Sequence, residues 1–179
     1  MFSLDNLIAD CKDAVADGAN AQAAVRDVLT RAVSDPAAVL KELGEPEKGG
    51  VVKLHESKEL TIINVIWSPY MTIMPHNHEM WANIGVYLGR EDNIFWRRMP
   101  EAEGGKIEAA GAKSLEKQDA TTLGRDIIHS VTNPLSKLTG AIHIYGGDFF
   151  HVERSEWDPE THLEQAYNME KNLSILEDA

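Results

Sequence analysis

The stretch MPHNHEMWANIGVYLG, residues 74–89, sets two histidines one residue apart, His76 and His78, within a run of large apolar residues. In an extended chain successive side chains point to opposite faces, so His76 and His78 share a face while Asn77 points away, and two imidazoles on one face can chelate a cation. Pro75 has no N–H to give to a strand ladder, which marks a bend or a strand start at that point. Taken alone, the pair fits a metal site, cross-strand packing or surface histidines.

On both sides of this stretch, from Val51 to about Val152, the chain reads as short β-branched or aromatic runs. LTIINVIW, WANIGVYL, NIFWRRM, TTLGRDIIHSV and GAIHIYGG are separated by Gly, Pro, Asn and Asp, a spacing that predicts an all-β sandwich or barrel. Helical signals flank this region. Segments near 3–17, 20–33 and 35–43 are alanine-rich and amphipathic, the last with Asp35 as cap, Pro36 in its first turn and Gly44 beyond its end. ETHLEQAYNMEKNLSIL returns to helical periodicity through Leu163, Ala166, Tyr167 and Leu173. The expected organisation is one structural domain: an N-terminal helical segment over 1–48, a β-barrel over 49–155 and a C-terminal helix over 156–179.

A chain of 179 residues is long enough to bury a core without disulfides. Its formal net charge of -12 disfavours nucleic acid and anionic membranes as partners, which leaves a small-molecule substrate or a protein. MFSLDNLIADCKD lacks the basic and apolar regions of a signal peptide and no long apolar run follows, so a cytoplasmic location is expected. The single cysteine, Cys11, falls on the apolar stripe of the first helical segment with Leu4, Leu7, Ile8 and Val15 and reads as a packed thiol.

A third histidine, His129 in IIHSVTN, lies on another β-type run some fifty residues downstream, with Asn133 four residues later. These two segments resemble the paired signature motifs of the cupin superfamily, over roughly residues 60–150. The resemblance implies a double-stranded β-helix, or jelly roll, here with N-terminal helices and a C-terminal helix. It also implies metal ligation by His76, His78 and His129, with Gly89 as the glycine that ends the first motif. Most cupins add a glutamate a few residues after the histidine pair, where this chain has Ala82 and Asn83; Glu79, adjacent to His78, falls on the opposite face of a strand. The inferred ligand set is therefore three neutral imidazoles, which leave a divalent ion its full charge and favour an anionic ligand.

GAIHIYGG places His143 and Tyr145 on one strand face and Ile142 and Ile144 on the other. With HSVTN upstream, this looks like the cysteine dioxygenase-like branch of the cupins, the thiol dioxygenases, which use a three-histidine Fe(II) site and a Ser-x-His-x-Tyr strand. The resemblance implies that Tyr145 sets its hydroxyl near dioxygen or substrate and that His143 orients it. Two departures matter: Ala141 stands at the serine, which shortens the relay, and residues 45–75 contain no arginine to grip a substrate carboxylate. Arg97 or Arg125 is the alternative anchor, and Trp81, with Met71, Ile73, Met74, Phe95 and Trp96, is a candidate pocket wall.

The leading expectation is an Fe(II) thiol dioxygenase-like oxidoreductase acting on a small anionic thiol or related metabolite. Two alternatives stand beside it: a metal-cupin isomerase, lyase or hydrolase using Zn, Ni or Mn, and a non-catalytic small-molecule-binding cupin. The sheet edges and helical flanks of such a fold suit a homodimer contact.

Overall fold

Residues 2–178 are described by the structure, a computed structural model. Three helices open the chain: α1 (Leu4–Ala16), α2 (Ala21–Val33) and α3 (Pro36–Leu43). Their apolar stripes bury Leu7 and Cys11 on α1 and Val25, Val28, Leu29 and Val33 on α2. At α3 the Asp35 side chain accepts from the Ala38 N–H at 3.2 Å, Pro36 occupies the first turn, and Gly44, at φ 89°, ends the helix. Burial pushes the Cys11 thiol up to about 12, so it is a packed, un-ionised group.

Two antiparallel sheets follow. The first has the order β1 (Gly50–Glu56), β2 (Thr61–Trp67), β9 (Thr139–Tyr145), β4 (Ala82–Leu88), β7 (Ala120–Leu123). The second has the order β11 (Glu164–Ala166), β10 (Ser155–Trp157), β3 (Thr72–His76), β8 (Ile128–Thr132), β5 (Arg90–Arg98), β6 (Ile107–Glu116). From β2 to β9 the chain crosses from one sheet to the other at every step except the β5–β6 hairpin and so winds as a double-stranded β-helix, or jelly roll.

The first sheet is apolar on both faces. Ile63, Val65, Ile84 and Ala141 point between the sheets, whereas Ile62, Ile66, Tyr87, Ile142 and Ile144 pack under the helices. That double burial explains why TIINVIW and ANIGVYL read as continuous apolar runs. It also places the N-terminal helices on the outer face of the barrel. At Gly85 on β4 the approach of α2 leaves no space for a side chain: a Cβ would lie 2.8 Å from Leu29 Cγ and 2.9 Å from Val33 Cγ1.

The tail departs from the sequence expectation. Residues 155–166 extend the second sheet as β10 and β11, and the last helix, α4 (Met169–Asp178), is confined to the end. Strand pairing wins because Trp157 is fully buried at the sheet edge, while Leu163, on the expected helical stripe, is 43% exposed. The barrel therefore runs to about residue 166 and not to 155. Among the described residues no helix is long and apolar enough to cross a membrane.

Gly85→Val should lower the unfolding free energy by ~1–3 kcal/mol through overpacking against α2. Urea denaturation checks this, and an unchanged midpoint would mean that the helix seats more loosely than these distances require.

Candidate metal centre

His76 ends β3, where the register against β8 shifts between Ile73 and His76 around Pro75, and it stands opposite His129. His78 lies beyond the strand. The chain turns there, with Glu79 at φ 56°, and Asn77 pins the turn by donating to Glu79 Oε1 at 2.7 Å and accepting from the Ser155 N–H at 2.8 Å. A turn, and not the strand alternation read from the sequence, thus brings His76 and His78 together. The ring centroids of the three histidines are 4.7–5.0 Å apart, and one nitrogen from each falls within a group no wider than 4.8 Å.

Hydrogen bonds aim these nitrogens. His76 Nδ1 donates to the Met74 carbonyl at 3.0 Å and His129 Nδ1 donates to Asn93 Oδ1 at 2.7 Å, so both rings keep Nε2 free. His78 Nε2 lies 3.3 Å from His129 Nε2. Two nitrogens bound at ~2.1 Å to one tetrahedral or octahedral ion stand ~3.0–3.4 Å apart, so the cluster fits a divalent cation. Burial is the largest cause that lowers all three pKa values: His76 falls to about 4, and His78 and His129 fall well below the ordinary histidine range. The imidazoles are neutral at pH 7 and ready to ligate.

The histidines line a cavity of about 40 Å³ between the sheets, with Val65, Ile73, Val131 and Phe149 on its apolar walls and Met169 and Leu173 of α4 beside them. Asn172 of α4 donates to the buried Glu156 at 2.6 Å, and Glu156 stands opposite His76 in the sheet.

Tyr145 and His143, as expected, face this cavity from β9, with the Tyr145 hydroxyl 3.1 Å from His143 Nδ1. Burial pushes the Tyr145 hydroxyl far above its ordinary value, so it stays protonated. The relay is not shortened by Ala141. Glu91, fully buried on β5, accepts from His143 Nε2 at 3.1 Å and ends it in a carboxylate. Glu91 also accepts from Trp67 Nε1 at 3.1 Å and from Asn93 Nδ2 at 3.1 Å, so it connects with His129 through Asn93. The sequence reading missed Glu91 and Asn93; their signal was REDNIF, in which alternation puts both on the buried face.

The candidate anchors fall elsewhere. Arg97 pairs with Glu108 at 2.8 Å with 69% of its side chain exposed, and Arg125 stands 3.9 Å from Glu79 with 70% exposed. Both lie on outer surfaces because the inward positions near them belong to apolar side chains. Trp81 packs beside Gly146 and the helix-side core, Asn83 donates to the Gln22 carbonyl at 2.9 Å, and of the other proposed wall residues only Ile73 lines the cavity. Asn133 holds the β8–β9 turn by donating to the Trp67, Ser68 and Lys137 carbonyls. His55 and His162 stand outside the cluster, and His151 lies on the surface with Asp148.

Arg154, not anticipated from the sequence, is a buried cation packed behind the cavity wall, against Phe149 and Tyr167. It is 8% exposed, its guanidinium lies 4.1 Å from the ring centroids of both Phe149 and Tyr167, and Nη1 donates to the Phe149 carbonyl at 2.6 Å. Its Nε and Nη2 are buried without partners. Its charge adds to the lowering of the His76 and His78 pKa values.

No protein-family model matches the chain. Among solved structures it is similar to an RmlC-like cupin family protein with a double-stranded β-helix fold from Methanocaldococcus jannaschii, at 8% identity and TM-score 0.48, covering 59% of this chain and 85% of that one. It is also similar to a cupin superfamily protein from Desulfitobacterium hafniense, at 13% identity and TM-score 0.46, with 59% and 85% covered. A deletion mutant of Bacillus subtilis oxalate decarboxylase matches at 15% identity and TM-score 0.46, over 63% of this chain and 29% of that one.

The lowered histidine pKa values set an acid limit. Between about pH 6.5 and 4 the unfolded chain binds protons that the folded chain refuses at His76, and refuses more strongly at His78 and His129, so stability falls as pH drops through this window. Melting temperature measured against pH should decline steeply there for the metal-free protein and more gently for His78→Phe. Parallel curves would mean that the histidines do not control the loss.

Proposed function

We propose that the protein is a metal-dependent oxidoreductase of the thiol dioxygenase type, holding Fe(II) through His76, His78 and His129 and oxidising a small anionic thiol. The observation that carries this reading is the convergence of three buried, neutral imidazoles beside the Tyr145–His143 pair. Bound Fe(II) would supply the redox chemistry that lets dioxygen react with a thiolate: RS⁻ + O2 gives RSO2⁻, so both oxygen atoms end on sulfur. Zn, Ni or Mn in the same ligand set would serve the alternative isomerase, lyase or hydrolase reading, or a binding role.

The chain's own residues have separable roles. Tyr145 sets its hydroxyl oxygen beside the reacting atoms, and a hydrogen bond to His143 holds it there. Arg154, stacked behind the Phe149 and Tyr167 rings that line the cavity, adds a positive field that favours an anionic substrate. The walls are apolar, and the cavity of about 40 Å³ restricts the substrate to a small molecule.

The test is metal analysis of untagged protein followed by oxygen uptake after anaerobic Fe(II) loading, with 3-mercaptopropionate and neutral thiols compared. Near-stoichiometric iron and uptake that prefers the anionic thiol are expected. Turnover without oxygen under another metal would move the assignment to the alternative chemistry, and a protein that takes no metal would be a binding module.

His129→Ala should abolish tight metal binding while leaving the circular dichroism spectrum intact; global unfolding would make the histidine structural. Tyr145→Phe should keep the metal and lose about tenfold in kcat, the worth of one hydrogen bond. Arg154→Gln should raise KM for the anionic thiol about threefold, as expected for a lost positive field behind the cavity wall, with little change for a neutral thiol. Equal effects on both thiols would mean that its charge does not act on the substrate.

A further inference from the structure

Glu91 is fully buried and accepts three hydrogen bonds: on Oε2 from Trp67 Nε1 and His143 Nε2, and on Oε1 from Asn93 Nδ2, each at 3.1 Å. A carboxylate only accepts, so each partner must turn a hydrogen toward it. For the Trp67 indole that direction is obligatory. For His143 and Asn93, which can present either a donor or an acceptor, Glu91 makes the choice.

The two choices run outward along two arms. A proton on Nε2 alone leaves His143 Nδ1 bare, so the Tyr145 hydroxyl 3.1 Å away donates to it. The Tyr145 oxygen then offers lone pairs, not a proton, to the cavity. On the other arm Asn93, its NH2 committed to Glu91, turns Oδ1 to His129 and accepts the Nδ1–H at 2.7 Å, which leaves His129 Nε2 bare at the histidine cluster. Glutamine has one oxygen and one NH2 and cannot accept at both positions; its NH2 would face either the Asn93 NH2 or the Trp67–His143 pair of donors.

We propose that Glu91 is a positioning residue that sets the hydrogen-bond polarity of the whole polar wall, and that the site selects a ligand bringing an O–H, N–H or S–H donor to Tyr145 in preference to a carbonyl, ether or carboxylate oxygen. The His129 arm rests on the metal reading above. The Tyr145 arm stands without it.

The test begins with imidazole 15N–1H correlation spectra of the full-length protein, metal-free and Zn(II)-loaded, with His143 assigned by the signals missing in His143→Phe. The wild type should show His143 protonated at Nε2 and bare at Nδ1. Glu91→Gln should lose that pattern and bind Zn(II) about tenfold to a hundredfold more weakly. Trp67→Phe, which removes a donor without reversing any, should keep the wild-type pattern. A wild-type His143 that carries its proton on Nδ1, or on both nitrogens, overturns the proposal, as does a Glu91→Gln protein with unchanged pattern and affinity. If Glu91→Gln does not fold, the wild-type and Trp67→Phe spectra still decide. Should the wild type fail to bind Zn(II), the metal reading falls while the metal-free spectrum still tests the Tyr145 arm.

Ligand polarity is read on Co(II)-loaded protein by visible absorption, with 2-mercaptoethanol and its O-methyl ether as probes, which share the thiol and differ in that the ether oxygen can only accept. The alcohol should bind about threefold to tenfold more tightly, the worth of one hydrogen bond, and Tyr145→Phe should erase the difference. Equal affinities in the wild type would overturn the selectivity.

Discussion

A carboxylate buried with no exposure is the constraint around which the interior is built. Taking Glu91 out of water costs several kcal/mol unless its lone pairs are met, and they are met by groups from both sheets: Trp67 on β2 and His143 on β9 in the first, Asn93 on β5 in the second. The same charge therefore ties the sheets together and organises the polar side of the cavity. Remove one donor and the remainder must carry an incompletely solvated ion; supply all of them and the strands are held at the spacing that the histidines need.

Around that polar strip the barrel is dry. Sheet one is covered by helices on its outer face and by apolar side chains on its inner face, so β2, β4 and β9 form a stiff floor beneath the cluster. Stiffness matters because three buried imidazoles converging on one point share at most one direct contact, His78 Nε2 to His129 Nε2 at 3.3 Å. Their convergence is imposed by backbone, by the Met74 carbonyl and by Asn93.

The fold was legible because β-branched runs, turn residues and capped helices carry local signals: Asp35, Pro36 and Gly44 mark α3, and the double-faced apolar strands follow from ANIGVYL and TIINVIW. The His76, His78, His129 grouping and the inward His143–Tyr145 pair could also be anticipated. What eluded the sequence depends on tertiary context. Arg154 and Arg97 look alike as letters, yet one is sandwiched between two rings and the other pairs with Glu108 on the surface. Glu91 reads as one charge among REDN until the sheet partners show what it accepts. Residues 160–166 carried a helical pattern that an available sheet edge outweighed.

The covering of the cavity by α4 also has a bearing on how the molecule is made. Residues 169–178 leave the ribosome after every strand, and α4 packs on β1, more than a hundred residues earlier in the chain. The strands that carry the three imidazoles can pair before the cover exists. The three histidines thus precede their cover in chain order, and the cover is fastened beside them through Asn172 and Glu156.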